Sequence, residues 1–146
     1  MLTTISKKQE EIKLTAVRWF ELVGRGDIEE LCAMTGPCWT LNGGSPGLPP
    51  GPAGIRKIFE NFGPVEQRWI INDIIAERDK VVVRATNKSN QDVFSGIKSY
   101  GCNQVFSAIF IHHIANGKIV ETWRNGDDLG RMIQQGGKIR SSCLYS

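Results

Sequence analysis

"NQVFSAIFIHHIANGKIVETWRN", residues 103–125, is a pair of apolar-rich runs joined by Asn116-Gly117. Both central positions of a type I′ turn need positive φ, which Asn and Gly tolerate, so this dipeptide predicts a β-hairpin. Apolar side chains fall on both parities of the two runs. One face of the resulting sheet is therefore expected to meet helices and the other a second subunit. A hairpin this long makes the second half of the chain a sheet, and the remaining segments can be placed around it.

Upstream, "VEQRWIINDIIAE" (65–77) and "KVVVRATN" (80–87) read as a second strand pair about a tight polar turn at Arg78-Asp79. Between the pairs, "KSNQDVFSGIKSYG" is a polar excursion. "CWTLN", Cys38–Asn42, reads as a short first strand, and "GGSPGLPPGP" (43–52) as an irregular loop wrapping a domain edge. The part before Gly63 is otherwise helical. Ile12, Ala16, Trp19, Phe20 and Val23 recur at helical spacing behind a Ser6/Gln9 capping box, in a helix expected to run to about Val23. Asp27 is placed to cap a short second helix carrying Ile28, Leu31 and Cys32. A third helix presents Ile55, Ile58, Phe59 and Phe62. A terminal helix, with Leu129, Met132 and Ile133 inward, is expected to stop at Gly136-Gly137. The order implies an α+β fold: a mostly antiparallel curved sheet packed against N-terminal helices. One domain over residues 1–146 is expected, with the tail 138–146 loosely packed.

Composition narrows the function classes. Residues 40% apolar and 23% charged describe an ordinary globular chain, and a net charge of +3 with acids and bases interleaved builds no basic face. Nucleic acid and membrane are not expected as partners, and no apolar run reaches the ~20 residues of a bilayer span. The polar start lacks the apolar core of a signal peptide. Cys32, Cys38, Cys102 and Cys143 show no metal-ligand spacing, so reduced thiols, a cytoplasmic setting and no metal are expected.

"GPAGIRKIF" (51–59), "FSGI" (94–97) and above all "NGKIVETW" (116–123) with "DDLGRMIQQGG" (127–137) resemble the SnoaL-like polyketide cyclases of the NTF2-like superfamily. The resemblance runs from about Lys8 to Gly137. It implies a cone-shaped α+β barrel, a pocket between the sheet and the first and third helices, and dimers or tetramers joined through the sheet's outer face. The implied chemistry is a cofactor-free aldol ring closure on an aromatic polyketide ester. Relatives include hydroxylation-linked proteins of polyketide pathways and, more distantly, limonene-epoxide hydrolase and ketosteroid isomerase. Two family positions are altered. The acid/base aspartate of the last strand corresponds to Arg124, and a pocket histidine one strand earlier corresponds to Phe110. The loop often written G-I-P-P-T-G-K is "GIKSYGCN" here, Gly96 to Asn103.

An arginine stays protonated and cannot abstract the proton that aldol closure requires. Arg124 has three readings: a pocket cation for an anionic ligand or enolate, a partner for a buried acid such as Asp73 or Asp127, or a surface residue with a buried stem. Asp127 is an N-cap or a displaced catalytic acid, and Asp128 favours the helix dipole. His112 and His113 point to opposite faces and cannot share a metal. The resemblance turns Phe110, His112 and Arg124 inward, whereas a strict two-residue turn at Asn116-Gly117 pairs Phe110 with Trp123. Candidate catalytic residues are thus Arg124, His112 and Asp127. Candidate ligand contacts are Asn42, Trp39, Phe59, Phe62, Trp69, Phe106, Phe110 and Trp123, an apolar, flat-walled set suited to rings. The expected function is a cyclase-type protein acting on or binding a small aromatic or polycyclic metabolite. The alternatives are a non-catalytic binding protein and a hydroxylation partner.

Overall fold

The computed structural model describes residues 2–63 and 65–138. Helices α1 (Leu2–Arg25), α2 (Ile28–Ala33) and α3 (Pro52–Phe62) are interrupted by the short strand β1 (Leu41–Asn42). Strands β2 (Gln67–Glu77), β3 (Lys80–Ser89), β4 (Val93–Phe94), β5 (Ile97–Lys98), β6 (Gln104–Ala115) and β7 (Lys118–Gly126) follow, and α4 (Asp128–Gln134) ends the fold. The main sheet has the order β1-β7-β6-β3-β2, antiparallel except where β1 lies parallel to β7. The polar excursion folds into the β4–β5 hairpin, a separate two-stranded unit. Residues of the tail beyond Lys138, Cys143 among them, lie outside the described residues.

Asn116 and Gly117 take φ of 52° and 73°, the left-handed pair that a type I′ turn needs. The register does not stay regular beyond it. Ala115 pairs with Lys118 and Ile114 with Ile119, but His113 then meets Glu121, leaving Val120 as an extra residue. This β-bulge shifts every later pair, so Phe110 faces Arg124 rather than Trp123. Ile119 and Thr122, three residues apart, are both fully buried, while Trp123 is turned outward and 54% exposed.

The core forms between α1 and the inner face of the sheet. Ala16, Phe20 and Leu22 pack among Val81, Val83 and Ala85 of β3, each buried. Burying one such larger side chain contributes about 1.5–3 kcal/mol. Edge-to-face aromatic contacts extend the core along the sheet: Phe20–Phe110 at 5.1 Å, Trp69–Phe110 at 5.3 Å and Trp69–Phe106 at 5.8 Å.

Three local expectations change. Helix α1 starts at Leu2, so Ser6 is inside it and is no cap; no Pro or Gly before Ser6 stops the helix from extending. The first strand shrinks to Leu41–Asn42, because the Trp39 carbonyl accepts from the Gly51 amide of the loop instead of from a neighbouring strand. In α4 the inward residue is Arg131, while Leu129 and Ile133 are about half exposed. Helix α4 is held by polar bonds rather than by an apolar stripe: the Gln134 side chain bonds both the amide and the carbonyl of Val105, at 2.8 and 2.7 Å. The Pro-rich loop passes directly over β7. Gly43, at φ 81°, approaches so closely that a Cβ there would lie 2.0 Å from the Arg124 carbonyl oxygen.

A buried polar chain ties the first strand to the hairpin. The Trp39 indole N–H donates to the Thr122 hydroxyl at 2.9 Å, and the same hydroxyl lies 2.9 Å from His112 Nδ1. His112 Nε2 has no partner among the described residues, and the ring is packed against Trp19 and Phe110. Burial holds the imidazole neutral, with its pKa lowered to about 3. Above pH ~6.5 neither folded nor unfolded chain binds this proton; below it only the unfolded chain does, so stability falls by about 1.4 kcal/mol per pH unit towards pH 3. Between pH 7 and pH 5, urea denaturation should show the wild type losing about 2 kcal/mol more than His112→Gln. Equal losses in the two proteins would contradict a buried neutral His112.

Candidate functional site

A cavity of about 340 Å³ lies between the inner face of the sheet and helices α1 and α3, with α4 and the β4–β5 hairpin at one end. Its volume lies in the range of small-molecule pockets. Two other hollows, beside Leu14 and Arg18 and beside Glu66 and Lys88, are open surface grooves. Aromatic residues are prominent in the cavity wall: Trp19 from α1, Trp39 from the segment before β1, Phe62 from α3, and Trp69, Phe106 and Phe110 from the sheet. Three buried polar atoms on wall residues have no hydrogen-bond partner among the described residues: Trp19 Nε1, Asn87 Oδ1 and Ser89 Oγ. Buried polar groups are nearly always satisfied, so unpartnered ones in a cavity wall mark contacts available to a ligand or to water.

Charge gathers at the end closed by α4. Arg124, on β7, makes a bidentate ion pair with Asp128, at 2.9 and 2.7 Å, across the start of α4. Asp128 therefore does more than complement the helix dipole. Asp73, the other acid considered for Arg124, pairs instead with Arg84 on the outer face. Arg131 projects from α4 into the same end and is 5% exposed. Its guanidinium donates to Gln91 Oε1 at 2.5 Å and Gln104 Oε1 at 3.3 Å, with the rings of Phe94 and Phe106 at 4.0 and 4.6 Å. Burial lowers its pKa to about 10, which leaves it protonated at neutral pH.

The structure brings Trp39, Phe62, Trp69, Phe106, Phe110 and Arg124 together around the cavity. The other sequence candidates lie away from its wall. The Asn42 side chain donates to the Thr122 carbonyl, Trp123 is turned to the outer face by the bulge, and Phe59 packs edge-on against Phe62. His112 faces inward but is sealed off by Trp19, Phe20 and Phe110. His113 is paired with Asp79 at 2.8 Å. Asp127 caps α4, accepting from the Gly130 amide at 2.9 Å. Among the described residues no cluster of three or more His, Cys, Asp or Glu can hold a metal. Sequence reasoning missed Arg131, Asn87, Ser89 and Gln91. An apolar stripe at 129, 132 and 133 outweighed the arginine between them, and the only available signal was two glutamines, Gln91 within the polar excursion and Gln104 just after it.

A family model described as a SnoaL-like domain matches residues 16–122. The chain belongs to the SnoaL-like family, within the NTF2-like superfamily. Solved structures share the SnoaL-like fold at low identity. TsrD from Streptomyces laurentii is 22% identical, with a TM-score of 0.78 over 88% of this chain and 96% of that one. A candidate polyketide cyclase from Bacillus cereus is 24% identical, with a TM-score of 0.70 over 86% and 80%. AclR from Streptomyces galilaeus, described as a candidate hydroxylase, is 19% identical, with a TM-score of 0.72 over 93% and 88%. No match was found among curated proteins. Among the described residues no helix is long and apolar enough to cross a membrane.

Within this SnoaL-like frame, Asp127 links β7 to α4 by a single cap. Asp127→Ala should lower unfolding stability by about 1 kcal/mol in urea denaturation. A loss within error of zero would mean that the cap contributes nothing to the cavity end.

Proposed function

We propose that this SnoaL-like protein is a cofactor-free member of polyketide-cyclase type whose cavity holds a small aromatic or polycyclic metabolite. The aromatic wall carries the reading, because flat rings are complementary to the faces and edges of Trp39, Trp69, Phe106 and Phe110. Arg124 stands where the resemblance puts the proton-abstracting aspartate. Asp128 is the one carboxylate among the described cavity-lining residues, and both its oxygens are held by Arg124. With both oxygens engaged by the guanidinium, the carboxylate would have to break this pair before it could take a proton from a ligand, which favours holding the ligand over ring closure. Titration with 1,8-dihydroxyanthraquinone, read by tryptophan quenching, should saturate in the wild type. Ile58→Trp, which fills the cavity from α3, should weaken it at least tenfold. Unchanged binding in that variant would place the ligand elsewhere.

Turnover through Asp128 is the second reading, favoured by its position in the wall. An aromatic polyketide methyl ester incubated with the protein discriminates them: ring closure abolished by Asp128→Asn would establish catalysis and overturn the holding role.

The proposal includes a homodimer in a cytoplasmic setting. Across the outer face, the register aligns Ile75, Val82, Ile111 and Trp123 in one row spanning four strands. Ile75, Ile111 and Trp123 are 62, 36 and 54% exposed, an apolar band of the kind found at interfaces. Cys32, Cys38 and Cys102 are free thiols, which suits a reducing compartment. Light scattering should give a dimer at micromolar concentration and a monomer for Trp123→Asp. A wild-type monomer would count against the interface.

A further inference from the structure

Two guanidinium groups and one carboxylate line the closed end of the cavity, and the carboxylate belongs to Arg124. Arg131 has only neutral acceptors, the side-chain oxygens of Gln91 and Gln104, and forms no ion pair among the described residues. Its Nη1 meets no hydrogen-bond acceptor among them. A charge this deeply buried is normally paired, since neutral acceptors replace only part of the lost hydration. Asp128, held by Arg124, acts on Arg131 only through space and against the opposing charge of Arg124, so Arg131 has no carboxylate of its own among the described residues, and it faces a cavity.

We propose that the ligand of this cavity is an organic acid, and that Arg131 is the residue that binds its carboxylate. The inference rests on the cavity being the ligand site. A guanidinium fixed by two glutamines and two phenyl rings is held in place before binding, so a carboxylate completes it at little conformational cost. Ser89 belongs to the same end: it pairs in register with Gln104, whose side chain receives Arg131, and its buried hydroxyl is unpartnered. That hydroxyl supplies a second donor to the carboxylate. The rest of the ligand follows from the wall. Phe106, beside Arg131, and Phe110, beside Trp19, are four residues apart on β6, or about 13 Å. The unpartnered Trp19 indole N–H at the far end suits a carbonyl or hydroxyl oxygen. The ligand class is therefore a flat acid of two or three rings with an oxygen substituent distant from the carboxylate. A methyl ester of the kind the cyclase resemblance implies would leave Arg131 unpaired.

The test compares anthraquinone-2-carboxylate with its methyl ester and with unsubstituted anthraquinone, titrated against the whole chain by tryptophan quenching. The acid should bind at least tenfold more tightly than the ester. Arg131→Gln should erase that preference while ester affinity stays within threefold. Since loss of a buried arginine can disturb the fold, Gln91→Glu provides a second arm: it sets a carboxylate against Arg131 from within. That variant should melt at a higher temperature than the wild type and lose the preference for the acid. Equal binding of acid and ester by the wild type would overturn the inference and leave the cavity as a neutral-ligand site. A preference that survives Gln91→Glu would place the anion site elsewhere and also overturn it. Binding of none of the three probes would overturn both this inference and the cavity reading beneath it.

Discussion

The extra residue at Val120 is the constraint on which the inner surface depends. A strand alternates its side chains with period two, so an unbroken hairpin would carry Trp123 opposite Phe110 and turn Thr122 and Arg124 away from the cavity. The bulge reverses that choice within one residue. Ile119 can then stay in the core beside the turn while Thr122 reaches Trp39 and His112 and Arg124 reaches Asp128. The polar chain, the ion pair and the cavity end all follow from this shift.

Polar groups do two kinds of work inside the fold. The Trp39–Thr122–His112 chain and the caps at Asp27 and Asp127 position elements that apolar contacts alone would leave free to slide. Arg131, Ser89 and Asn87 are less completely satisfied, and they gather in the cavity wall. Unpartnered atoms occur elsewhere too, at His112, Ser99 and Gln135, but only those of Trp19, Asn87 and Ser89 belong to residues that line the cavity, where a ligand or water can reach them. That contrast sets Arg131 apart from Arg124, which already has its anion.

The architecture was largely legible from the chain. The Asn116-Gly117 turn, the helical spacing of Ile12 to Val23 and the Asp27 and Asp127 caps are local signals, each resting on backbone preferences within a few residues, and each element appears. The aromatic wall was legible as a composition and only partly as a list. Trp123 and Phe59 have the residue type of a pocket wall but not the position, because exposure depends on register and helix phase.

By itself, then, the sequence determined the α+β order, the two long hairpins and the apolar character of the interior, since periodicity and turn chemistry act over short range. Only the tertiary structure decided which parity of β7 faces inward, because a one-residue bulge carries no pattern of its own in the sequence. Only it decided that α4 buries an arginine in place of its leucine. The short helix is oriented by its cap and by Gln134 bonded to β6, and those tethers outweigh a stripe of three apolar side chains.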